Sequence, residues 1–261
     1  MLNVVIAAVV VAGGVVAVPA QASAADVRTT WSRSFARLDL SGPAGVAVVP
    51  LDGHPGVSIG SWTNGPAWST IKVPLSIAAL KRSTSSTTQA RVRSAIRASD
   101  NEAAKKLWAG LGSPTTAAKR VEAVLRPAGD PNTVVQHRQV RPPYTSFGQT
   151  RWRLGDQARF AANISCTADG KTVRSHMGHV VASQRFGLSR IRGARYKGGW
   201  GPDGKRYLVR QVAVVTRSDG TRYGVAAAVS ASSFERGKQD LDRIGRWVAP
   251  RLSDLKASPC P

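Results

Sequence analysis

Ser69, Lys72, Ser99 and Lys197 are the residues of this chain whose types could together carry covalent chemistry. They fall in three clusters, always in one order: Ser69-Thr70-Ile71-Lys72, Ser99-Asp100-Asn101 and Lys197-Gly198-Gly199. A serine hydroxyl becomes a nucleophile when a neighbouring base takes its proton. A lysine serves as that base when burial and nearby cations lower its pKa. Ser69 and Lys72 are three apart at an expected helix start, so their side chains share a face. The helix N-terminus also favours negative charge developing beside it. Ser99 is then a candidate proton relay to a leaving group, and Asn101 a candidate ligand for a substrate carbonyl. Lys197 places positive charge opposite an anionic substrate, while Gly198 and Gly199 let a substrate backbone approach the strand. This is the set that serine acyl transfer without a histidine requires.

Each cluster also has a plain structural reading. The Ser-x-x-Lys spacing occurs again at Ser253 and Lys256. Ser99 followed three residues later by Glu102 reads as a capping box for the next helix. Lys197-Gly198-Gly199 reads as a flexible strand end, and Ser218-Asp219-Gly220 as a turn. The argument therefore rests on the ordered conjunction.

The elements that must position these groups follow from periodicity and breakers. A leading helix is expected over 26–38, with Trp31, Phe35 and Leu38 near helical spacing. Residues 45–60 read as a hairpin around Asp52-Gly53-His54-Pro55-Gly56. Asn64-Gly65-Pro66 then breaks the pattern. Helices are expected over 70–81, 86–98, from Asn101 to near Gly110, and over 114–126; Pro74 sits close enough to a helix start to be tolerated. Pro127, Gly129, Asp130-Pro131, Pro142-Pro143 and Gly148 mark 127–150 as a long loop. Long loops of this kind are usually functional or flexible. Helices resume from Thr150 toward Cys166 and over 171–184. Strands are expected over 195–200, 207–216 and 223–230, with a closing helix over 234–249 whose apolar stripe is Leu241, Ile244 and Val248. Two strands, a block of helices, three strands and a helix suit an α+β fold: an antiparallel sheet of about five strands, built from both ends of the chain, plus an inserted all-helical lobe.

Composition bounds the class. The chain has 261 residues, 42% of them hydrophobic, enough for one domain with a sizeable core. Residues 1–25 carry no charged side chain, and an apolar run from Val4 to Val18 precedes the small-residue pattern Ala20-Gln21-Ala22-Ser23-Ala24. This reads as a secretory signal peptide, although no Lys or Arg precedes the run. The mature domain is expected over 26–261, with a sheet lobe of 26–66 and 187–261 and a helical lobe of 67–186. In an exported protein the two cysteines, Cys166 and Cys260, could form one disulfide that pins the C-terminus; the alternative is two free thiols. The net charge of +22 attracts polyanions. The Lys and Arg are scattered and not interleaved with aromatics, so no nucleic-acid partner is expected. An anionic cell-envelope polymer fits an exported protein better; a general basic bias with no dedicated partner fits equally.

With its three clusters in this order, the chain resembles the class A β-lactamases and their penicillin-binding relatives. That family carries Ser-x-x-Lys at a helix start, Ser-Asp-Asn on a loop and Lys-[Thr/Ser]-Gly on a strand. The resemblance spans about residues 26–253 and implies the β-lactamase/transpeptidase-like fold. It also implies roles: Ser69 as the acylated nucleophile, Lys72 as its base, Ser99 as proton shuttle, Asn101 as amide ligand and Lys197 as the group attracting a carboxylate. The backbone N–H groups of Ser69 and Trp200 would form the oxyanion hole. No metal or organic cofactor is implied. The expected substrate is a small molecule or peptidoglycan-type stem, the expected location extracytoplasmic, and the expected state a monomer.

Three features depart from the family pattern. The family's long loop carries Glu-x-x-Leu-Asn, whose Glu activates the deacylating water. Residues 127–150 contain no Glu, and their only acid is Asp130; His137 lies near the expected place, as a candidate base or a solvent-facing loop residue. The third motif reads Lys-Gly-Gly, so Gly198 lacks the hydroxyl that usually holds a substrate carboxylate. Ser69 and Ser99 are also close in sequence for the family, which predicts a missing wall helix and an open, shallow site. A site that acylates without a water-activating carboxylate should hold its acyl-enzyme. The sequence therefore points to an exported serine hydrolase or acyl-transferase, penicillin-reactive with slow deacylation. The alternative is a non-catalytic envelope-binding protein that keeps a degenerate cleft.

Overall fold

The computed structural model describes residues 24–51, 56–164 and 166–260. The leader expected over 1–25 falls almost wholly outside these residues, as does most of the Asp52–Gly56 turn. Among the described residues no helix is long and apolar enough to cross a membrane.

The sheet has five antiparallel strands. They are β1 (Ala44–Pro50), β2 (Val57–Gly60), β5 (Ala194–Asp203), β6 (Arg206–Thr216) and β7 (Arg222–Ala231), in the spatial order β2-β1-β7-β6-β5. The two ends of the chain meet where Val46 pairs with Ala227. Val, Ala and Leu dominate β1, β6 and β7 because both faces of the sheet are covered. One face carries α1 (Ala24–Phe35) and α8 (Phe234–Val248). Leu241, Ile244 and Val248 form the buried stripe of α8, and the Trp31 and Trp247 rings pack edge to face, 5.5 Å apart. The other face carries α6 (Leu154–Ile164). This helix lies so close that a Cβ on Gly224 of β7 would sit 1.8 Å from the Ala158 carbonyl oxygen.

The helical part contains α2 (Lys72–Arg82), α3 (Ser86–Arg97), α4 (Asn101–Gly110), α5 (Pro114–Leu125) and α7 (Ala168–Met177). Helix α6 touches both regions: Leu154, Ala158 and Ala162 face the sheet, while Phe160, Ala161 and Ile164 join the helical core. It begins four residues later than its expected start at Thr150, because 151–153 form a short strand.

That strand, β4 (Arg151–Arg153), pairs with β3 (Asn64–Pro66), which the sequence suggested only as a break in pattern. The pairing joins the end of the long loop to the segment leading into Ser69. Helix α7 is also shorter than its expected range, ending at Met177.

Cys166 and Cys260 form a disulfide across a separation of 94 residues. Cross-linking a loop that long removes about 4 kcal/mol of unfolded-state entropy, a shift of about 10 °C in a protein this size. The Cys166→Ser/Cys260→Ser variant should therefore melt several degrees lower in a thermal scan, with the cleft chemistry retained.

Candidate active site

A turn of 3-10 helix, Trp68–Ile71, carries Ser69 and runs directly into α2 at Lys72. Pro74 falls in the first turn of α2, where no hydrogen bond is lost. The turn is held from beneath by a polar chain. Arg210 on β6 is fully buried; its Nη1 donates to the carbonyls of Gly65 and Pro66, at 3.0 and 2.9 Å. Its Nη2 donates to the Trp152 carbonyl at 3.1 Å and to Gln157 Oε1 at 2.7 Å. Gln157 Nε2 then donates to Thr70 Oγ1 (2.9 Å), which donates to the Ala67 carbonyl (2.6 Å). Burial alone lowers the Arg210 pKa to about 9. Sequence reasoning missed Arg210, Gln157 and Thr70. The available signal was the polar pair Arg210-Gln211 in the middle of the largely apolar run of β6.

Ser99 arrives from the other side, on the turn between α3 and α4. The residue capping α4 is Asp100, not Ser99: its Oδ1 accepts from the N–H groups of Glu102 and Ala103, at 2.8 and 3.0 Å. Ser94 Oγ donates to Asp100 Oδ2 at 2.7 Å. Glu102 pairs with Lys105 instead of closing a capping box. With the cap taken by its neighbour, Ser99 adopts φ +59° and joins the lysines. Trp68, just before Ser69, has φ +49°. These are the two non-glycine residues with left-handed backbone among those described, and both adjoin the cleft. Such geometry costs about 1 kcal/mol or more per residue, so surrounding packing must impose it.

Lys72 Nζ donates to the Ser99 carbonyl (2.5 Å) and to Asn101 Oδ1 (2.7 Å), with Ser99 Oγ at 3.4 Å. Lys197 Nζ lies 2.8 Å from Ser99 Oγ and donates to the Gly198 carbonyl at 2.7 Å. Both lysines are buried. Burial lowers the Lys72 pKa to about 7, with Asp100 opposing the shift. Burial, reinforced by the charge of Lys72, pushes Lys197 well below its ordinary value. The Asp100 carboxyl is held below the ordinary range, chiefly by the Ala103 N–H and then by Ser94. A neutral amine has two N–H groups and one lone pair. Lys72 already uses two donors, on Ser99 and Asn101, so its lone pair is available to a hydroxyl. Among the described residues the Ser69 hydroxyl makes no hydrogen bond.

Strand β5 is an edge strand, and it runs along the Ser69 turn. A Cβ built on Gly199 would lie 2.7 Å from the Ser69 nitrogen, 2.9 Å from the Ala67 oxygen and 2.9 Å from the Thr70 nitrogen. Gly199 therefore has a second reason to be glycine: its Cα side is packed against the turn that carries Ser69. Ser69, Lys72, Ser99, Asn101 and Trp200 all line one cleft of about 550 Å³. Lys197 lies beneath it, bonded to Ser99.

The long loop closes the cleft with Tyr144, Thr145 and Phe147. Gln149, buried behind them, donates to the carbonyls of Tyr144 and Thr145, at 3.0 and 3.1 Å. His137 does not line this cleft. Asp130 is fully buried and binds the N–H groups of Asn132 and Thr133 and the Trp152 indole. It shapes the loop and leaves no carboxylate for a water. Among the described residues the one carboxylate lining the cleft is Glu102, whose Oε1 accepts from Lys105 Nζ at 2.8 Å.

Sequence comparison finds no matching family model and no matching curated protein. Comparison of structures finds many similar folds. The TLA-3 extended-spectrum β-lactamase superposes with a TM-score of 0.71 at 12% identity, covering 88% of this chain and 99% of that one. A mutant of PBP-A, an acyl-enzyme complex with penicillin-G, gives 0.66 at 19% identity, covering 91% and 100%. PenP from Rhodopseudomonas palustris, described as a putative class A β-lactamase, gives 0.67 at 16%, covering 85% and 99%. The chain has the β-lactamase/transpeptidase-like fold.

Proposed function

We propose that this protein is an exported serine hydrolase or acyl-transferase that forms an acyl-enzyme on Ser69 and releases it slowly. The observation that carries the reading is the convergence of two buried lysines on Ser99 beside Ser69. Lys72 takes the Ser69 proton, and Ser99, bridging both amines, returns a proton to the leaving group. The Ser69 and Trp200 N–H groups receive the developing oxyanion. Asn101 orients Lys72 through its Oδ1 and offers its N–H to the substrate's carbonyl. Slow release is expected because, among the described residues, the carboxylate lining the cleft is Glu102, which is exposed and paired with Lys105. The PBP-A mutant described as an acyl-enzyme complex with penicillin-G has the same fold, which makes penicillin the natural first probe.

The test is intact-mass analysis after incubation with a fluorescent penicillin. The expected result is one adduct that persists for many minutes, mapped by digestion to the peptide containing Ser69. No adduct, or an adduct mapped elsewhere, removes Ser69 from its role.

A further inference from the structure

We infer that the natural acyl donor is an uncharged ester with apolar or aromatic groups and no carboxylate on its leaving group. This deepens the reading of Ser69 as nucleophile and rests on it.

Five aromatic rings line the cleft: Trp68, Tyr144, Phe147, Trp200 and Tyr207. They form two groups. Trp68 and Tyr144 pack edge to face, with centroids 5.0 Å apart. Trp200 and Tyr207 are braced by Phe234, at 4.8 and 6.1 Å. Flat apolar groups gain most from packing on such rings.

The cations do not offer the matching anchor for a carboxylate. Lys197 is fully buried, and its Nζ is engaged by Ser99 Oγ and the Gly198 carbonyl. Lys72 is engaged by Ser99 and Asn101. Lys105 pairs with Glu102, whose own charge repels an anion at the rim. Arg210 points beneath the Ser69 turn into four acceptors. Arg141 is engaged over the Trp68 and Tyr144 rings, 5.8 Å from each centroid, and with the Pro202 carbonyl at 3.4 Å. Gly198 offers no side-chain donor. A Cβ there would meet the Trp200 ring edge at 3.2 Å, so a side chain at 198 would stand beside a cleft wall.

The reaction balances without a further reagent. Ser69 Oγ bonds to the ester carbonyl carbon, the carbon–oxygen bond to the alcohol breaks, and the Ser69 proton leaves with the alcohol through Lys72 and Ser99. Water then attacks the acyl-enzyme, giving the free acid and restoring the Ser69 hydroxyl. Penicillin still labels Ser69 because ring strain, not a carboxylate anchor, drives its opening.

The test compares the phenylacetate esters of phenol and of 3-hydroxybenzoate on the full-length mature protein. A meta carboxylate barely changes the leaving group's reactivity, so the pair isolates the charge. The expected kcat/KM favours the neutral ester by tenfold or more. Gly198→Ser should narrow that ratio several-fold by giving the carboxylate a donor beside Trp200. Equal or better use of the carboxylate ester overturns the inference. So does failure of both esters when fluorescent penicillin still marks Ser69, which leaves the nucleophile assignment intact. Failure of all three reagents overturns both.

Discussion

Lys72→Met should reduce the rate of Ser69 acylation by about a thousandfold, in the middle of the range for loss of a positioned general base. The pH profile distinguishes this from a packing defect. The base form of Lys72 is the neutral amine, and burial lowers its pKa to about 7. Below that pH the amine is protonated, its lone pair is gone, and acylation falls about tenfold per unit. Above it the rate levels off. Wild-type acylation by penicillin should therefore rise through pH 7 and reach a plateau by about pH 8. In Lys72→Met the residual rate should lose that inflection. If the variant keeps both the inflection and most of the rate, Lys72 is not the base and Lys197 becomes the candidate. Methionine retains the volume but leaves Asn101 Oδ1 and the Ser99 carbonyl without a donor, so a thermal melt should accompany the kinetics.

The same burial gives the folded protein its own pH dependence. Lys72 and Lys197 ionise far more readily in the unfolded chain, where their pKa returns to the ordinary lysine value. Between pH 7 and 10 the unfolded state then binds more protons, so this contribution to stability grows as pH rises and fades as pH falls. A site that lowers the pKa of two lysines is thus held at the expense of stability near neutrality. The two left-handed residues, Trp68 and Ser99, add to that cost.

What the sequence discloses and conceals here follows from range. The Ser69, Ser99 and Lys197 clusters are local patterns, and each names its residues without reference to the rest of the chain. The amphipathic stripe of α8 and the apolar strands β6 and β7 are likewise local periodicities. Strands β3 and β4 are three residues each, and they exist because Asn64 pairs with Arg153 across a sequence separation of 89; no local pattern specifies that. The capping of α4 is decided between neighbours. Ser99 and Asp100 are both good caps; Asp100 takes the cap, and Ser99 bonds to Lys197. Arg210 shows the limit most plainly. Its type marks it as exceptional in a strand, yet its four acceptors come from three separate segments. His137 shows the converse, since counting along a loop places it near the nucleophile while the fold puts Tyr144 and Phe147 there.

Gly199→Val should lower acylation on the order of 100-fold and destabilise the fold by about 2 kcal/mol, although residue 199 bears no reactive group. The added carbons would meet the backbone of residues 67, 69 and 70 inside 3 Å. Backbone cannot rotate out of the way as a flexible side chain can. The turn below is also fixed, through Thr70 to Gln157 and Arg210. Either β5 or the Ser69 turn must shift, and any shift separates the Ser69 and Trp200 N–H groups that the oxyanion would need together. Gly198→Ala is the matched comparison: its Cβ meets only the Trp200 ring edge, at 3.2 Å, and the Gln211 side chain. Stopped-flow acylation of both variants alongside their melting curves separates the effects. A loss confined to the Gly199 variant, with its residual adduct still on Ser69, places the contact between β5 and the nucleophile turn at the centre of rate enhancement. Equal behaviour of the two glycine variants would show that the strand and the turn are not mechanically coupled.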